Sequence, residues 1–266
     1  MTALKVWVQG IGLLGPGLDS WASARDVMRG VQAHATAPTV LLPPARLPPA
    51  ERRRAGAAVK LALAVADAAV AQAQVDPSLL ATVFTSSSGE GANCHALCET
   101  LATPTPMVSP TRFTNSVHNA AAGCWHIAVA SRASSTSLCA FDGSFGAGLI
   151  EAVTSVRLSG QPVLLVASDS PYPEPLHTAR PLPDHFGTAL LLTPEPSSQS
   201  LAQLVVTLDA SPSELSTCDD PSLESLRHAV PAARALPLLA ALARPRAKQR
   251  IVLDYLPRLR VQVDLA

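Results

Sequence analysis

The stretch from Ser135 to Leu158 limits the possible folds more than any other. An apolar strand, STSLCAF, runs straight into a glycine- and alanine-rich helix, with Asp142 where they meet. Such a junction turns the unpaired N–H groups and the positive dipole end of a helix toward the side chain that begins it. A cysteine placed there becomes an acidic, nucleophilic thiol. An aspartate is a strong N-cap, about 1 kcal/mol better than alanine, but a poor nucleophile toward a thioester. The junction predicts the framework of an acyl-transfer site without its chemistry, with Asp142 capping a helix that runs to about Leu158.

Strands and helices alternate along the rest of the chain. Lys5 to Gln9 predicts a first strand ending in glycines, and Ser20 caps a helix from Trp21 to about Met28. Ala35 to Pro49 is a proline-rich connection. Ala55 to Gln74 is nearly all apolar, but Lys60 and Asp67 interrupt it and alanine replaces leucine, so it predicts a small-residue helix packed on a sheet and not a membrane span. Ala81 to Ser86 is the second strand, followed by a serine/glycine loop to Gly91 and a helix from Ala92 to Leu101. Pro104, Pro106 and Pro110 predict an extended segment. A helix follows over Asn119 to Ser131. Apolar strands are predicted over Pro162–Ser168, Gly187–Thr193 and Ala202–Leu208. A helix over Pro221–Ala243 and two closing strands, Gln249–Tyr255 and Arg258–Asp264, complete the chain. The alternation predicts an α/β fold, a mixed sheet covered by helices on both faces. At 266 residues it predicts one domain over 1–266.

Composition narrows the function classes. The formal charge is zero, whereas a nucleic-acid binder shows a basic excess. Only 15% of residues are charged against 48% hydrophobic, which fits either a permanent partner covering apolar surface or an alanine-rich sequence. The N-terminus carries no secretory pattern, and five irregularly spaced cysteines make no disulfide framework. A reducing cytoplasm is the expected compartment.

Several motifs have a bland reading. Gly10-x-Gly12-x-x-Gly15 matches a dinucleotide fingerprint, yet Pro16 and Gly17 break the helix that must start inside it, so a glycine-rich turn is expected. Cys94, His95 and Cys98 lack the further ligands of a zinc site, and no metal or cofactor is expected. Asp142-Gly-Ser144-Phe-Gly146 approaches a nucleophile elbow without its first glycine. A Ser144 hydrolase completed by His185 or His228 stays open. So does an acyltransferase using Cys139, which shares a strand face with Ser137 and Phe141.

Five segments carry a family resemblance in order. Val6 to Gly30 resembles the opening of β-ketoacyl synthases of the thiolase-like fold, and Val83 to Gly91 their second strand and glycine loop. Val108 to Ile127 resembles the Ser-Pro…Asn…Gly segment before the helix at the dimer interface. Ser134 to Ala152 resembles the nucleophile strand and helix, and His185 to Leu192 the strand after it. The resemblance ends near residue 190 and is weak over 190–266.

The resemblance implies the N-terminal, thiolase-like half of a ketosynthase with the second half missing. The family's catalytic cysteine falls on Asp142, and no segment resembles the family's two histidine motifs. It therefore implies a non-catalytic, chain-length-factor-like subunit, of the truncated kind typical of aryl polyene pigment clusters. Its partner would be a full-length β-ketoacyl-ACP synthase in a heterodimer, with acyl carrier protein met through that partner. The strand Ser135–Phe141, with Ser137, Cys139 and Phe141, would pair edge to edge with the partner. Arg112 to Trp125, Asn119 among them, would project toward the partner's acyl tunnel, where Phe113, His118 and Trp125 would limit its depth. Ordinary packing is the alternative for the aromatic side chains.

Overall fold

Every second residue of the central strands faces the same way, and this alternation builds the molecule. In a computed structural model describing residues 3–211, 213–244 and 248–265, the strands form one eight-stranded sheet. Residues 1–2, 212, 245–247 and 266, part of the expected single domain, lie outside the described residues. In chain order the elements are β1 (Leu4–Leu14), α1 (Trp21–Met28), α2 (Pro49–Arg54), α3 (Ala57–Ala73), β2 (Ala81–Thr85), α4 (Gly91–Leu101), α5 (Pro110–Thr114), α6 (Ala120–Val129) and β3 (Ser135–Leu138). There follow α7 (Ser144–Ser159), β4 (Val163–Asp169), α8 (Leu176–Ala179), β5 (Phe186–Thr193), β6 (Ala202–Asp209), α9 (Pro221–Ala229), α10 (Leu236–Ala243), β7 (Gln249–Leu256) and β8 (Leu259–Leu265). The sheet order is β3-β2-β4-β5-β1-β6-β8-β7. β2 runs parallel to β3 and β4, and the other pairings are antiparallel.

Val163, Leu165 and Ala167 of β4 join a core shared with α1, α7, α9 and α10, while Leu164 and Val166 join a second core under α3 and α6. Both faces are covered, as the alternation of strands and helices predicts. Each leucine fully buried in these layers stabilises by roughly 1.5–3 kcal/mol relative to exposure.

The first helix starts as its sequence dictates, with the Ser20 hydroxyl accepting from the Ser23 N–H at 3.2 Å. The first strand departs from expectation. It continues through Gly10 and Gly12 to Leu14, and the expected glycine turn falls just after it, where Gly15 and Leu18 exchange backbone hydrogen bonds and Gly17 takes a φ of 67°. Gly10 and Gly12 sit where α3 crosses: a Cβ on Gly10 would overlap the Ala69 carbonyl oxygen, and one on Gly12 that of Val65. The pattern serves close strand–helix packing.

Two other expectations change. Pro110 begins the short helix α5, with Ser109 as its cap, where an extended segment was expected. Proline is well suited to a first helical turn. The helix expected over Pro221–Ala243 divides at Val230, whose backbone is extended before Pro231, into α9, a 3₁₀ stretch and α10. The closing hairpin forms as predicted.

Candidate functional site

The strand–helix junction is shaped differently from its sequence expectation. β3 stops at Leu138, and Phe141 takes a left-handed backbone with φ of 51°. This conformation costs a bulky residue roughly 1–2 kcal/mol. It ends the strand alternation, so Cys139 and Phe141 do not continue a face with Ser137. Asp142 lies in a 3₁₀ turn, Phe141–Gly143, and is not the N-cap of α7. That position belongs to Gly143, with no side-chain cap bond.

The Asp142 carboxylate is instead held by two guanidinium groups. Arg180 Nη2 donates to Oδ1 at 2.7 Å and Arg234 Nη2 approaches Oδ2 at 3.4 Å. Arg234 also donates to Asp254 of β7. Charge-assisted bonds to arginine are about twice as strong as neutral ones, which is why they outcompete backbone capping. The Arg180 guanidinium lies 3.6 Å from the centroid of the Phe141 ring, a cation–π contact that holds the ring from one side. The backbone of β7 closes over the start of α7: a Cβ on Gly143 or Gly146 would overlap the carbonyl oxygen of Tyr255 or Asp254.

No hydroxyl or thiol at this junction is arranged as an activated nucleophile. Ser144 is buried; its hydroxyl donates to the Phe141 carbonyl at 2.7 Å and accepts from the Ala140 N–H at 3.1 Å. Among the described residues no histidine bonds it, so the Ser144 triad is not assembled. His228 pairs with Glu224 on α9. His185 is pushed below its ordinary range by burial. Cys139 is exposed and donates to the Ser87 carbonyl at 3.2 Å.

The Ser86–Gly91 loop gathers the remaining features. Asp169, at the end of β4, accepts from Ser87 N–H and Oγ, both at 2.7 Å, from Ser86 Oγ at 3.2 Å and from the Ala232 N–H at 2.8 Å. Burial raises its pKa, against the lowering effect of these bonds. His118 reaches the Ser86 carbonyl at 3.3 Å from the other side. The same loop supplies Glu90, whose carboxyl lies against the start of α3 and is raised by burial.

Of the expected partner-facing residues, Phe113 is exposed on α5, and His118 and Asn119 are exposed just before α6. Ser137 is half-buried on β3, and Phe141 is 63% exposed. Trp125 is different: at 1% exposure it packs beneath α3 in the second core, so ordinary packing accounts for it. Arg180, Arg234, Asp254 and Asp169 were not anticipated. The two arginines lie 38 and 92 positions from Asp142, and no local pattern announces them. Asp169 gave a usable signal, a charge ending an apolar strand. Among the described residues no group of three or more His, Cys, Asp or Glu is placed to hold a metal ion, and no helix is long and apolar enough to cross a membrane.

The chain is similar in structure to chains of known complexes. A ketosynthase in complex with its chain length factor from Xenorhabdus doucetiae aligns with 24% identity and a TM-score of 0.71, covering 98% of this chain and 99% of that one. The ishigamide ketosynthase/chain length factor aligns with 15% identity, the same coverage and a TM-score of 0.71. A type II polyketide acyl-carrier protein in complex with its ketosynthase gives 11% identity, 99% of both chains and a TM-score of 0.74. These likenesses establish the thiolase-like fold, here a single half-sized domain. No curated protein matches the chain. The model for "Beta-ketoacyl synthase, N-terminal domain" matches residues 20–250, well past residue 190 where the resemblance faded. The chain is thus a member of the β-ketoacyl synthase N-terminal domain family.

Proposed function

We propose that this protein is a non-catalytic, chain-length-factor-like subunit that pairs with a full-length β-ketoacyl-ACP synthase in aryl polyene biosynthesis. The observation that carries the reading is the junction after β3. Where an acyl group would need a nucleophile there is a phenylalanine in a strained turn, then an aspartate already bound by two arginines. Condensation requires a thiolate to hold the acyl chain and donors to stabilise the charge released on decarboxylation. Ser144, with its hydroxyl committed to backbone groups, supplies neither.

In this reading residues 1–266 act as one domain in the cytoplasm and bind no cofactor. β3, with Ser137, and Cys139 just beyond its end meet an edge strand of the partner, and Phe113, His118 and Asn119 border its acyl tunnel. Carrier protein docks on the partner. Trp125 supports that wall from within by holding α6 on α3.

The test is co-expression of a tagged copy with the ketosynthase encoded beside it, then size-exclusion chromatography and intact mass measurement after incubation with malonyl- and acyl-loaded carrier protein. A one-to-one complex is expected, with acyl mass only on the ketosynthase. An acyl adduct on this chain in isolation overturns the proposal. Shortening Phe113 to alanine should lengthen the product while leaving assembly intact, and an unchanged product removes its gating role.

A further inference from the structure

Phe141 combines a strained backbone with an exposed aromatic ring. Its φ of 51° is unfavourable for a side chain of this size, and its ring is 63% exposed to water. Strained residues persist where the surroundings over-determine them, and they cluster where the strain serves function. Here the surroundings are identifiable. Arg180 lies 3.6 Å from the ring centroid, is itself fixed by Asp142 at 2.7 Å, and Asp142 is tied through Arg234 to Asp254 on β7. The ring is held outward by a rigid base.

We infer that Phe141 is a preorganised anchor that inserts into an apolar recess of the partner ketosynthase, beside the edge that β3 leaves open. This inference rests on the heterodimer proposed above. Three observations point to it. The ring stands three residues beyond the end of β3, whose outer side has no neighbouring strand among the described residues. The base contains two arginines and two aspartates, so it is neutral and can be covered without stranding a charge. That neutrality selects an apolar or aromatic recess over a charged one. A ring already fixed in position also loses little conformational freedom on docking, the property that makes aromatic side chains dominant at interface centres.

The test measures affinity of the purified ketosynthase for this chain and five variants by titration calorimetry, with melting curves of each chain alone. Phe141→Ala should weaken binding by about 30-fold or more, as truncating an interface hot spot does. Phe141→Leu should weaken it by less, and Arg180→Met should fall between, because it loosens the ring without removing it. Leu158→Ala removes another exposed apolar side chain, 84% exposed at the far end of α7, and should bind as the natural chain does. Melting within a few degrees of the natural chain shows that a loss of affinity comes from the interface. Phe141→Gly keeps the test sharp if the alanine variant unfolds, since glycine accepts the left-handed backbone without strain; it should bind as weakly as alanine. Unchanged affinity for a folded Phe141→Ala or Phe141→Gly chain, while the natural chain binds, overturns the anchor alone. So does self-association of this chain that Phe141→Ala abolishes without affecting ketosynthase binding. A natural chain that binds no ketosynthase overturns the heterodimer, and the anchor with it.

Discussion

The two margins of the sheet are managed in opposite ways. At one margin, β7 is covered by its own chain: the Ser216 N–H donates to the Val252 carbonyl at 2.9 Å, and the Val252 N–H donates back to Ser216 Oγ at 3.0 Å. The covering segment is held in turn by Glu224, which accepts from the Cys218 N–H at 2.8 Å. Arg250 and Asp264 pair across β7 and β8 at 2.8 Å, adding charge to that margin. At the other margin β3 is four residues long, carries no charge and has no neighbour beyond β2 among the described residues. Unprotected edges invite pairing with another chain. One margin is thus closed at Val252 by its own chain, and the other is left open among the described residues.

The contrast can be broken by experiment. The largest effect is expected from placing charge on the open margin. Ser137→Lys would bury an unpaired ammonium against a partner strand and should weaken the ketosynthase complex roughly 100-fold. The chain alone should melt within a few degrees of its natural temperature. A complex of unchanged affinity would show that β3 is not the contact.

Uncovering the other margin comes next. Ser216→Pro removes both bonds to Val252, at about 1–3 kcal/mol, and should convert a well-behaved chain into one that associates with itself through β7. Light scattering against concentration reads the change. A monomeric variant would mean that charge alone protects this margin.

The smallest effect is a pH dependence of the same cover. Hydrogen bonds from Arg227 above all hold the Glu224 carboxyl at about 2, far below an ordinary glutamate. Its folded value being the lower one, its stabilisation is complete above the ordinary pKa of about 4.3 and is lost as pH falls toward 2. Hydrogen exchange at the Val252 amide should therefore accelerate through that interval. In Glu224→Gln the acceleration should be absent. Equal pH profiles in the two chains would detach Glu224 from the cover.

The sequence made the sheet's interior legible because its signals are local. PVLLVAS and GTALLLT could only be buried strands, and the Ala55–Gln74 run behaves as a helix lying on them. Ser20 announced its helix by a cap bond made three residues away. The junction was half legible. The elbow between strand and helix was evident, but the role of Asp142 was not, because its partners arrive from β7's neighbourhood and from the loop after β4. Capping propensity is a contest, and two distant guanidiniums won it. The split at Val230 was missed for a more ordinary reason: Pro231 and Pro237 were present, but alanine and leucine around them carried the helical period across.

Gly10 and Gly12 carry a wider lesson about how such chains are recognised. Motif searches would flag this N-terminus as a nucleotide-binding fingerprint, whereas the pair marks the place where the backbone of α3 rests directly on a strand. Relatives too diverged for ordinary comparison can be sought by that spacing: a first strand with two alternate glycines, followed some fifty residues later by an alanine-rich helix. A substitution of either glycine by valine in a candidate would argue that its helix sits elsewhere.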